Sequence, residues 1–391
     1  MKKLFFLFVF CFFSLNIFSQ EKLSLDRIFG SQEFYQSGIG QINWFGNGNS
    51  YTMLNGVDNR QEIIKYDIET GDSEKLITSQ MLIPKNDSIP INIANYSFSN
   101  DLKLVLIFTN TRRVWRTNTR GDYWIFNRES GKLKKLGGNA KPSSLMFAAI
   151  SPNMKSVAYV SENNLYVESI SENKIQQLTF DGSKTIINGT FDWVYEEELN
   201  LRNGFRWSPD SKRIAFWQLD ASGIGIFNMI NNTDSIYSKI IPVQYPKVGT
   251  QNSAGKVGVV EIENKEITWL KVPGAPRENY IARMNWAESS NEVIIQQLNR
   301  LQNKNKVYIG NALTGNVNNI FTDKEEAWLD VVNDLKWLEK GKYFTWISEM
   351  DGWKHIYLIS RDGKEIKNIT PGNYDVISIA GIDQVNNYIY F

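Results

Sequence analysis

The sequence predicts an all-β chain, and three observations carry that prediction. Aromatic residues make up 13% of the 391 residues, including 12 Trp and 17 Tyr, and aromatic side chains favour strands. Short apolar runs are separated by turns rich in Gly, Asn and Asp, a pattern typical of β-hairpins. A short motif of apolar, polar and aromatic residues, followed by a turn and a β-rich run, recurs along the chain.

The recurring motif starts seven times. Trp44 and Phe98 lie 54 residues apart, and Trp286 and Trp337 lie 51 residues apart. A period of about 50 residues, with about four strands in each unit, indicates the blades of a β-propeller. An irregular β-sandwich is the alternative, but it would not repeat its turns at this spacing. The seven starts are residues 42–44, 96–98, 149–152, 205–210, 284–286, 335–337 and 379–382.

The last unit stops within its first hairpin, at Phe391. Propellers close their ring so that no long strand edge stays bare, and seven starts with an unfinished last unit do not close it. The sequence therefore predicts a propeller over residues 41–391 that is truncated at its C-terminus. It is preceded by an N-terminal segment, residues 20–40, in which a short helical turn ending at Gly30 is expected.

One interval between blade starts is longer than the others. Trp207 and Trp286 lie 79 residues apart, and the extra length covers roughly residues 231–268. An insertion within a blade usually projects as a loop that makes functional or subunit contacts. A disordered loop is the alternative, but the composition of residues 257–262 is typical of a strand.

The first 19 residues predict a secretory signal peptide. Lys2 and Lys3 form a charged start, residues 4–13 are almost wholly apolar, and Ser19 is a small residue suited to cleavage before Gln20. The apolar run is too short to be a good spanning helix, so we expect a secreted or periplasmic protein. An uncleaved N-terminal membrane anchor is the alternative.

Charge and cysteine content exclude several classes of function. The 43 basic and 42 acidic residues nearly balance, which argues against a nucleic-acid partner or a polybasic membrane patch. The only cysteine, Cys11, lies within the predicted signal peptide, so the rest of the chain has no thiol chemistry. Because no His/Cys cluster, calcium-loop spacing or Gly-rich phosphate loop occurs, the sequence predicts no metal and no cofactor.

Three consecutive glutamates, Glu196, Glu197 and Glu198, follow an apolar-aromatic run. Adjacent like charges repel, so a site that keeps them needs a cation or full solvation. If residues 192–199 form a short helix, Glu197 and Glu198 project about 100° apart and can converge on one target. A primary ammonium group has three donors and suits two carboxylates. A solvated acidic helix start is the alternative interpretation.

The string Asp-Trp-Val-Tyr-Glu-Glu-Glu at 192–198 resembles the double-glutamate motif of the dipeptidyl-peptidase IV family, which belongs to the prolyl oligopeptidase-type serine exopeptidases. Trp-Ser-Pro-Asp at 207–210 and Tyr-Pro-Lys-Val-Gly at 245–249 resemble segments that follow it in that family. Val-Trp-Arg at 114–116 resembles the segment whose arginine binds the substrate backbone. The similarity runs through nearly all of the chain after the signal peptide.

The resemblance implies an architecture and a role for the glutamates. The family has an eight-bladed propeller followed by an α/β-hydrolase domain, and the latter is absent from this chain. By the resemblance, Glu197 and Glu198 bind the free N-terminus of a peptide substrate, and the full-length enzyme releases dipeptides after proline or alanine. Anchoring the amine at a fixed distance from the nucleophile converts remote binding energy into orientation at the scissile bond. The resemblance also implies a homodimer, formed partly by the insertion.

The resemblance further implies that Arg116 donates to a carbonyl oxygen of the substrate. Arginine suits that role because its guanidinium holds several donors in a fixed fork. The nearby Arg112, Arg113 and Arg120 leave open the alternative that Arg116 belongs to a solvated basic loop facing the acidic cluster.

No catalytic residue is expected in this chain. A serine hydrolase of this type needs a Gly-x-Ser-x-Gly elbow and a triad, and the pentapeptide does not occur. The only histidine, His355, starts a predicted strand, which favours a structural role. The triad is expected in the absent hydrolase domain, so this chain alone should be inactive.

Two departures from the family pattern leave subsite specificity open. Leu201 is apolar where the animal enzymes carry a polar residue, and the loop around Val331 and Val332 lacks an evident aromatic-arginine pair. A relative that releases tripeptides is therefore an alternative. Two others are a non-catalytic propeller of the cell envelope that binds peptides or proteins, and a family member whose hydrolase domain lacks its serine.

Overall fold

A computed structural model describes residues 22–36, 38–57 and 60–391. The predicted signal peptide, residues 1–19, lies outside these described residues. The described chain divides into two compact units. One contains the residues up to Asn55 together with Ile63–Glu74, and the other contains Gly56–Glu62 and Lys75–Phe391.

The first unit holds a helical turn and most of the first sheet. The turn, Asp26–Gly30, has π-helical hydrogen bonding and lies where the sequence predicts a short helical turn. The sheet is a four-stranded antiparallel meander, in the order of the chain. Its strands are β1 (Ile42–Phe45), β2 (Ser50–Val57), β3 (Arg60–Asp67) and β4 (Ser73–Ile77).

In the second unit, two meanders join into one eight-stranded sheet through a short pairing of β7 with β9. A 3₁₀ turn, Ser79–Leu82, precedes this sheet. Its strands are β5 (Asn95–Phe98), β6 (Leu104–Val114), β7 (Thr117–Asn127), β8 (Leu133–Lys135), β9 (Leu145–Ile150), β10 (Ser156–Ser161), β11 (Asn164–Ser169) and β12 (Ile175–Gln177).

The next sheet has a first strand in two pieces, β13 and β14, both paired with β15. Helix α1, Trp193–Leu199, lies in the chain between the two pieces. A separate two-stranded hairpin is inserted between β15 and β18. The strands are β13 (Ile186–Asn188), β14 (Phe205–Trp207), β15 (Arg213–Asp220), β16 (Ile226–Asn231), β17 (Lys239–Gln244), β18 (Ala254–Glu261) and β19 (Ile267–Trp269).

Two further four-stranded meanders and a final hairpin complete the described chain. A 3₁₀ turn, Glu339–Gly341, lies within the second meander. The strands are β20 (Asn279–Trp286), β21 (Glu292–Asn299), β22 (Lys304–Asn311), β23 (Val317–Lys324), β24 (Trp337–Leu338), β25 (Tyr343–Ser348), β26 (His355–Ser360), β27 (Ile366–Asn368), β28 (Gly381–Asp383) and β29 (Tyr388–Tyr390).

The predicted all-β fold of propeller blades is confirmed. All seven predicted blade starts overlap the first strand of a meander or hairpin, namely β1, β5, β9, β14, β20, β24 and β28. The position of the inserted segment was predicted less well. The extra hairpin occupies residues 226–244, and the remaining predicted insertion contains β18 and the start of β19, which pair within the blade. Both parts are β-rich, so composition does not mark the boundary between them.

Apolar side chains hold neighbouring sheets together. Trp217 on β15 and Ile281 on β20 belong to one buried cluster. Trp217 is fully buried, and its indole Nε1 donates to the carbonyl oxygen of Ile281 at 2.9 Å. Burial of a large apolar side chain stabilises the fold by about 1.5–3 kcal/mol. The same cluster includes Tyr195 and Leu199, so α1 is packed against this core. No helix within the described residues is both long enough and apolar enough to span a bilayer.

Candidate functional site

The segment that contains helix α1 leaves the edge strand after Gly189 and rejoins it at Gly204. We call these two glycines the neck. The amide of Gly189 donates to the carbonyl oxygen of Trp217 at 2.9 Å, and the amide of Trp217 donates to that of Gly204 at 3.0 Å. Gly204 also donates to the carbonyl oxygen of Gly189 at 2.9 Å. Residues 190–203 therefore form an excursion that does not break the hydrogen-bond ladder along β15.

The ends of α1 are fixed by local hydrogen bonds. Asp192 caps the N-terminus, where its Oδ1 accepts from the amide of Tyr195 at 3.1 Å. The hydroxyl of Ser253 donates to the other carboxylate oxygen. Burial raises the pKa of Asp192, and these hydrogen bonds oppose the shift by stabilising the carboxylate. Asn200 ends the helix in the left-handed conformation, with φ of 53°.

Aromatic contacts fix the rotation of α1. Tyr195 is buried and stacks on Phe191, with ring centroids 5.6 Å apart. Its hydroxyl accepts from the amide of Ile281 at 3.2 Å. Trp193 contacts Tyr245, with ring centroids 4.3 Å apart. With one face of the helix held by these contacts, the directions of the three glutamates are set.

The first glutamate points into the protein. Glu196 is only 6% exposed and accepts from Nε of Arg202 at 3.1 Å. Burial raises the pKa of Glu196, while the charge of Arg202 acts in the opposite direction. The same Nε of Arg202 lies 3.1 Å from the hydroxyl oxygen of Thr117. Glu196 therefore ties α1 to the start of β7 and is not presented to a ligand.

The second glutamate pairs with the predicted arginine. Nε of Arg116 lies 2.7 Å from both carboxylate oxygens of Glu197. Arg116 lies at the turn between β6 and β7, which have 11 residues each, and its side chain is 74% exposed. The Glu197 side chain is 18% exposed. The long hairpin therefore brings together two residues that are 81 positions apart in the sequence.

The third glutamate faces a cleft of about 330 Å³. Glu198 accepts from Nε2 of Gln302 at 2.9 Å, and Gln302 also lines this cleft. The cleft is also lined by Trp328, whose side chain is 51% exposed, and by Leu329. Both residues lie in the loop before β24. Glu197 and Glu198 are consecutive on α1, and each accepts a hydrogen bond from a side-chain donor. Two carboxylates can accept the donors of a primary ammonium group.

The structure also locates the remaining residues discussed from the sequence. Arg113 donates through Nε to the carbonyl oxygen of Trp115 at 3.1 Å, so it does not pair with the glutamates. His355 is buried, and its Nε2 lies 3.1 Å from the carbonyl oxygen of Gly372. Leu201 is buried in the core cluster that contains α1.

Sequence reasoning missed three residues that hold α1 or its glutamates: Ser253, which donates to Asp192, and Arg202 and Gln302, which contact Glu196 and Glu198. Gln302 is 104 positions away from Glu198, in a loop without a motif. Arg202 lies close to the glutamates in sequence, and its charge beside the acidic run was the one available signal. Ser253 had no such signal.

The fold and the site define a β-propeller domain that presents a pair of carboxylates from a strand excursion. The family model of the dipeptidyl peptidase IV N-terminal region matches residues 99–391. The chain therefore belongs to the dipeptidyl peptidase IV family and carries its N-terminal region.

Individual relatives agree with this assignment. The chain is 28% identical over 318 residues to a probable dipeptidyl peptidase 4 of Trichophyton verrucosum, covering 78% of this chain and 42% of that protein. It is 28% identical to the dipeptidyl peptidase 4 of Trichophyton rubrum, covering 78% of this chain and 40% of that protein. The crystal structure of Porphyromonas gingivalis dipeptidyl peptidase 4 superposes with a TM-score of 0.84 at 28% identity, over 93% of this chain and 51% of that one. The chain thus spans about half the length of these relatives, or less.

Proposed function

We propose that this chain is the substrate-recognition propeller of a secreted or periplasmic serine exopeptidase that releases N-terminal dipeptides of the Xaa-Pro or Xaa-Ala type. The observation that carries the proposal is the pair of consecutive carboxylates on α1, Glu197 in contact with Arg116 and Glu198 in contact with Gln302. Membership of the dipeptidyl peptidase IV family supports it, because the relatives named above are dipeptidyl peptidases. Export follows from the predicted signal peptide, residues 1–19.

In this function the propeller binds and orients the peptide, and the hydrolase domain expected beyond this chain performs the chemistry. Glu197 and Glu198 take the α-ammonium group of the substrate. Arg116 remains 74% exposed while it contacts Glu197, so its other guanidinium nitrogens are free to donate to a substrate carbonyl oxygen. Fixing the ammonium in this way sets the number of residues between the N-terminus and the scissile bond.

The test is the requirement for a free amine. We expect the full-length protein to hydrolyse Gly-Pro-p-nitroanilide and to turn over its N-acetylated form at least about 100 times more slowly, because acetylation removes the charge that two carboxylates bind. Analysis of the products of longer peptides measures the size of the released fragment. Equal turnover of both forms, or release of tripeptides, would contradict the proposal.

The resemblance also leads us to propose a homodimer that uses the β16–β17 hairpin. Several apolar side chains on this hairpin are exposed, among them Ile230 at 66% and Ile240 at 67%. An apolar surface of this kind is typical of a protein interface.

We expect Ile230→Asp combined with Ile240→Asp to shift the full-length protein from dimer to monomer in analytical ultracentrifugation, since unpaired charges would be buried in the interface. The exposed apolar residue Leu313, on the turn between β22 and β23, gives a control variant, Leu313→Asp, which should leave the mass unchanged. A wild-type protein that sediments as a monomer would contradict this proposal.

A further inference from the structure

A second polar site lies between the first strands of consecutive blades. It is a cavity of about 210 Å³. Arg206 of β14, Arg283 and Asn285 of β20, Asn333 and Trp337 contribute its polar side chains, together with Gln296. No aspartate or glutamate lines this cavity.

The two arginines of this cavity have no carboxylate partner among the described residues. Arg206 donates through Nη1 to the carbonyl oxygens of Asn203 and Phe205, at 2.9 and 2.7 Å. Arg283 donates through Nε to Oδ1 of Asn333 at 2.8 Å. Neither side chain is fully exposed, so water neutralises their charges only in part. Removing a charge from water is costly unless the charge is paired, so an anion beside these half-buried arginines would be stabilising.

The charges of the two arginines act on each other. Burial lowers the pKa of both side chains, and that of Arg283 falls to about 10 because the positive charge of Arg206 adds to the effect of burial. A guanidinium group does not lose its proton in proteins, so both arginines carry positive charge. Two like charges at close range, without a counter-charge, are unfavourable in the absence of a bound anion.

Trp337, Asn285 and Asn333 have donor groups in this cavity lining that bind no other described residue. The indole Nε1 of Trp337 is buried and has no hydrogen-bond partner among the described residues. Oδ1 of Asn285 accepts from the amide of Trp286 at 2.9 Å, and Oδ1 of Asn333 accepts from Arg283, so the NH₂ groups of both amides remain. Gln296 uses its Nε2 on the carbonyl oxygen of Val332 at 2.8 Å. The cavity thus offers positive charge and unused donors.

We propose that Arg206, Arg283 and Trp337 form an oxyanion-binding site that takes a carboxylate or a phosphate-sized anion. A planar guanidinium binds either oxyanion through paired hydrogen bonds, and the indole N–H supplies a further donor. The cavity is large enough for such a group. This site is separate from the carboxylate pair on α1 and has the opposite charge.

Arg283 borders both the cavity and the cleft beside Glu198, so the anion can come from a peptide in the cleft or from solution. Arg283, Val332 and Asn333 border both this cavity and the cleft beside Glu198, so the two spaces are neighbours. A peptide in the cleft can supply a carboxylate, and a free inorganic oxyanion can enter from solution. The chemistry of recognition is the same for both.

The experiment is calorimetric titration of the full-length protein at low ionic strength. Inorganic phosphate and N-acetylglycine serve as probes for the two sources, and N-acetylglycinamide is the uncharged control. We expect at least one charged probe to bind, and Arg206→Gln and Arg283→Gln each to weaken its binding about tenfold or more. Arg300→Gln is the matched control because Arg300 already has a carboxylate partner, Glu278, at 3.4 Å. It should leave binding unchanged.

Each outcome decides the proposal. Tighter binding of N-acetylglycine supports a peptide carboxylate as the ligand, and tighter binding of phosphate supports a free oxyanion. If an arginine variant does not fold, Trp337→Phe keeps an aromatic ring, removes the indole donor and should weaken binding about threefold or more. Absence of binding by the wild-type protein, equal binding of N-acetylglycinamide, or equal weakening in Arg300→Gln would overturn the site.

Discussion

Replacing Glu197 or Glu198 with alanine in the full-length protein is expected to lower kcat/KM for a free-amine dipeptidyl substrate about 100-fold or more. The reason is that removing one partner of a charged hydrogen bond that the bound substrate covers typically costs about 2–5 kcal/mol. In addition, Glu197→Ala leaves the Arg116 guanidinium without its partner at 2.7 Å, so the arginine loses the contact that positions it. The measurement is steady-state hydrolysis of Gly-Pro-p-nitroanilide.

Two controls separate recognition from folding. Glu263→Ala removes an exposed carboxylate elsewhere in the same unit and should leave kcat/KM within about twofold of wild type. Glu197→Gln keeps the size of the side chain and removes its charge, so it should lose most of the same activity while unfolding at an unchanged temperature. Wild-type turnover by both alanine variants would refute the role of the carboxylate pair.

Gly204→Ala is expected to destabilise the propeller by about 3 kcal/mol. A Cβ atom at this position would lie 2.7 Å from the carbonyl carbon of Gly189 and 2.8 Å from the amide nitrogen of Thr190. Both are backbone atoms, so the collision is relieved only by opening the neck of the excursion and weakening its ladder with Trp217. The measurement is urea unfolding of the full-length protein, followed by tryptophan fluorescence.

Gly225→Ala is the matched comparison for this substitution. A Cβ atom at Gly225 meets no atom within 4 Å, and its backbone is not in the left-handed region. We expect its free energy of unfolding to stay within about 0.5 kcal/mol of wild type. Equal stability of both variants would show that the neck of the excursion tolerates a side chain.

The fold was predictable because its signals are local. Alternating side chains and glycine or asparagine turns are set by residues close in sequence, and they recur in each blade. The split of the first strand into β13 and β14 was not predictable in this way. It depends on both pieces pairing with β15, and no sequence pattern marks two short runs, 186–188 and 205–207, as parts of one strand.

The site was predictable in part, for a similar reason. The three glutamates are adjacent, and a resemblance pointed to Arg116, so the sequence supplied the main candidates. Glu197 and Glu198 have different surroundings because they contact residues 81 and 104 positions away in the sequence. Gln302 approaches α1 because the next blade folds beside it, and Ser253 approaches α1 from the residue before β18 of the same sheet. Glu196 is withdrawn from the surface by Arg202.

The neck formed by Gly189 and Gly204 separates the excursion, residues 190–203, from the strand that carries it. The excursion leaves and rejoins the strand at one position, opposite Trp217. Its length therefore does not affect the pairing register of β13 and β14 with β15. Exchanges at the solvent-facing positions of residues 190–203 would leave the blade intact, provided that the two glycines and the buried side chains of Phe191, Tyr195, Leu199 and Leu201 stay. The exposed face of the recognition helix can therefore change in sequence without a change in the strands that carry it.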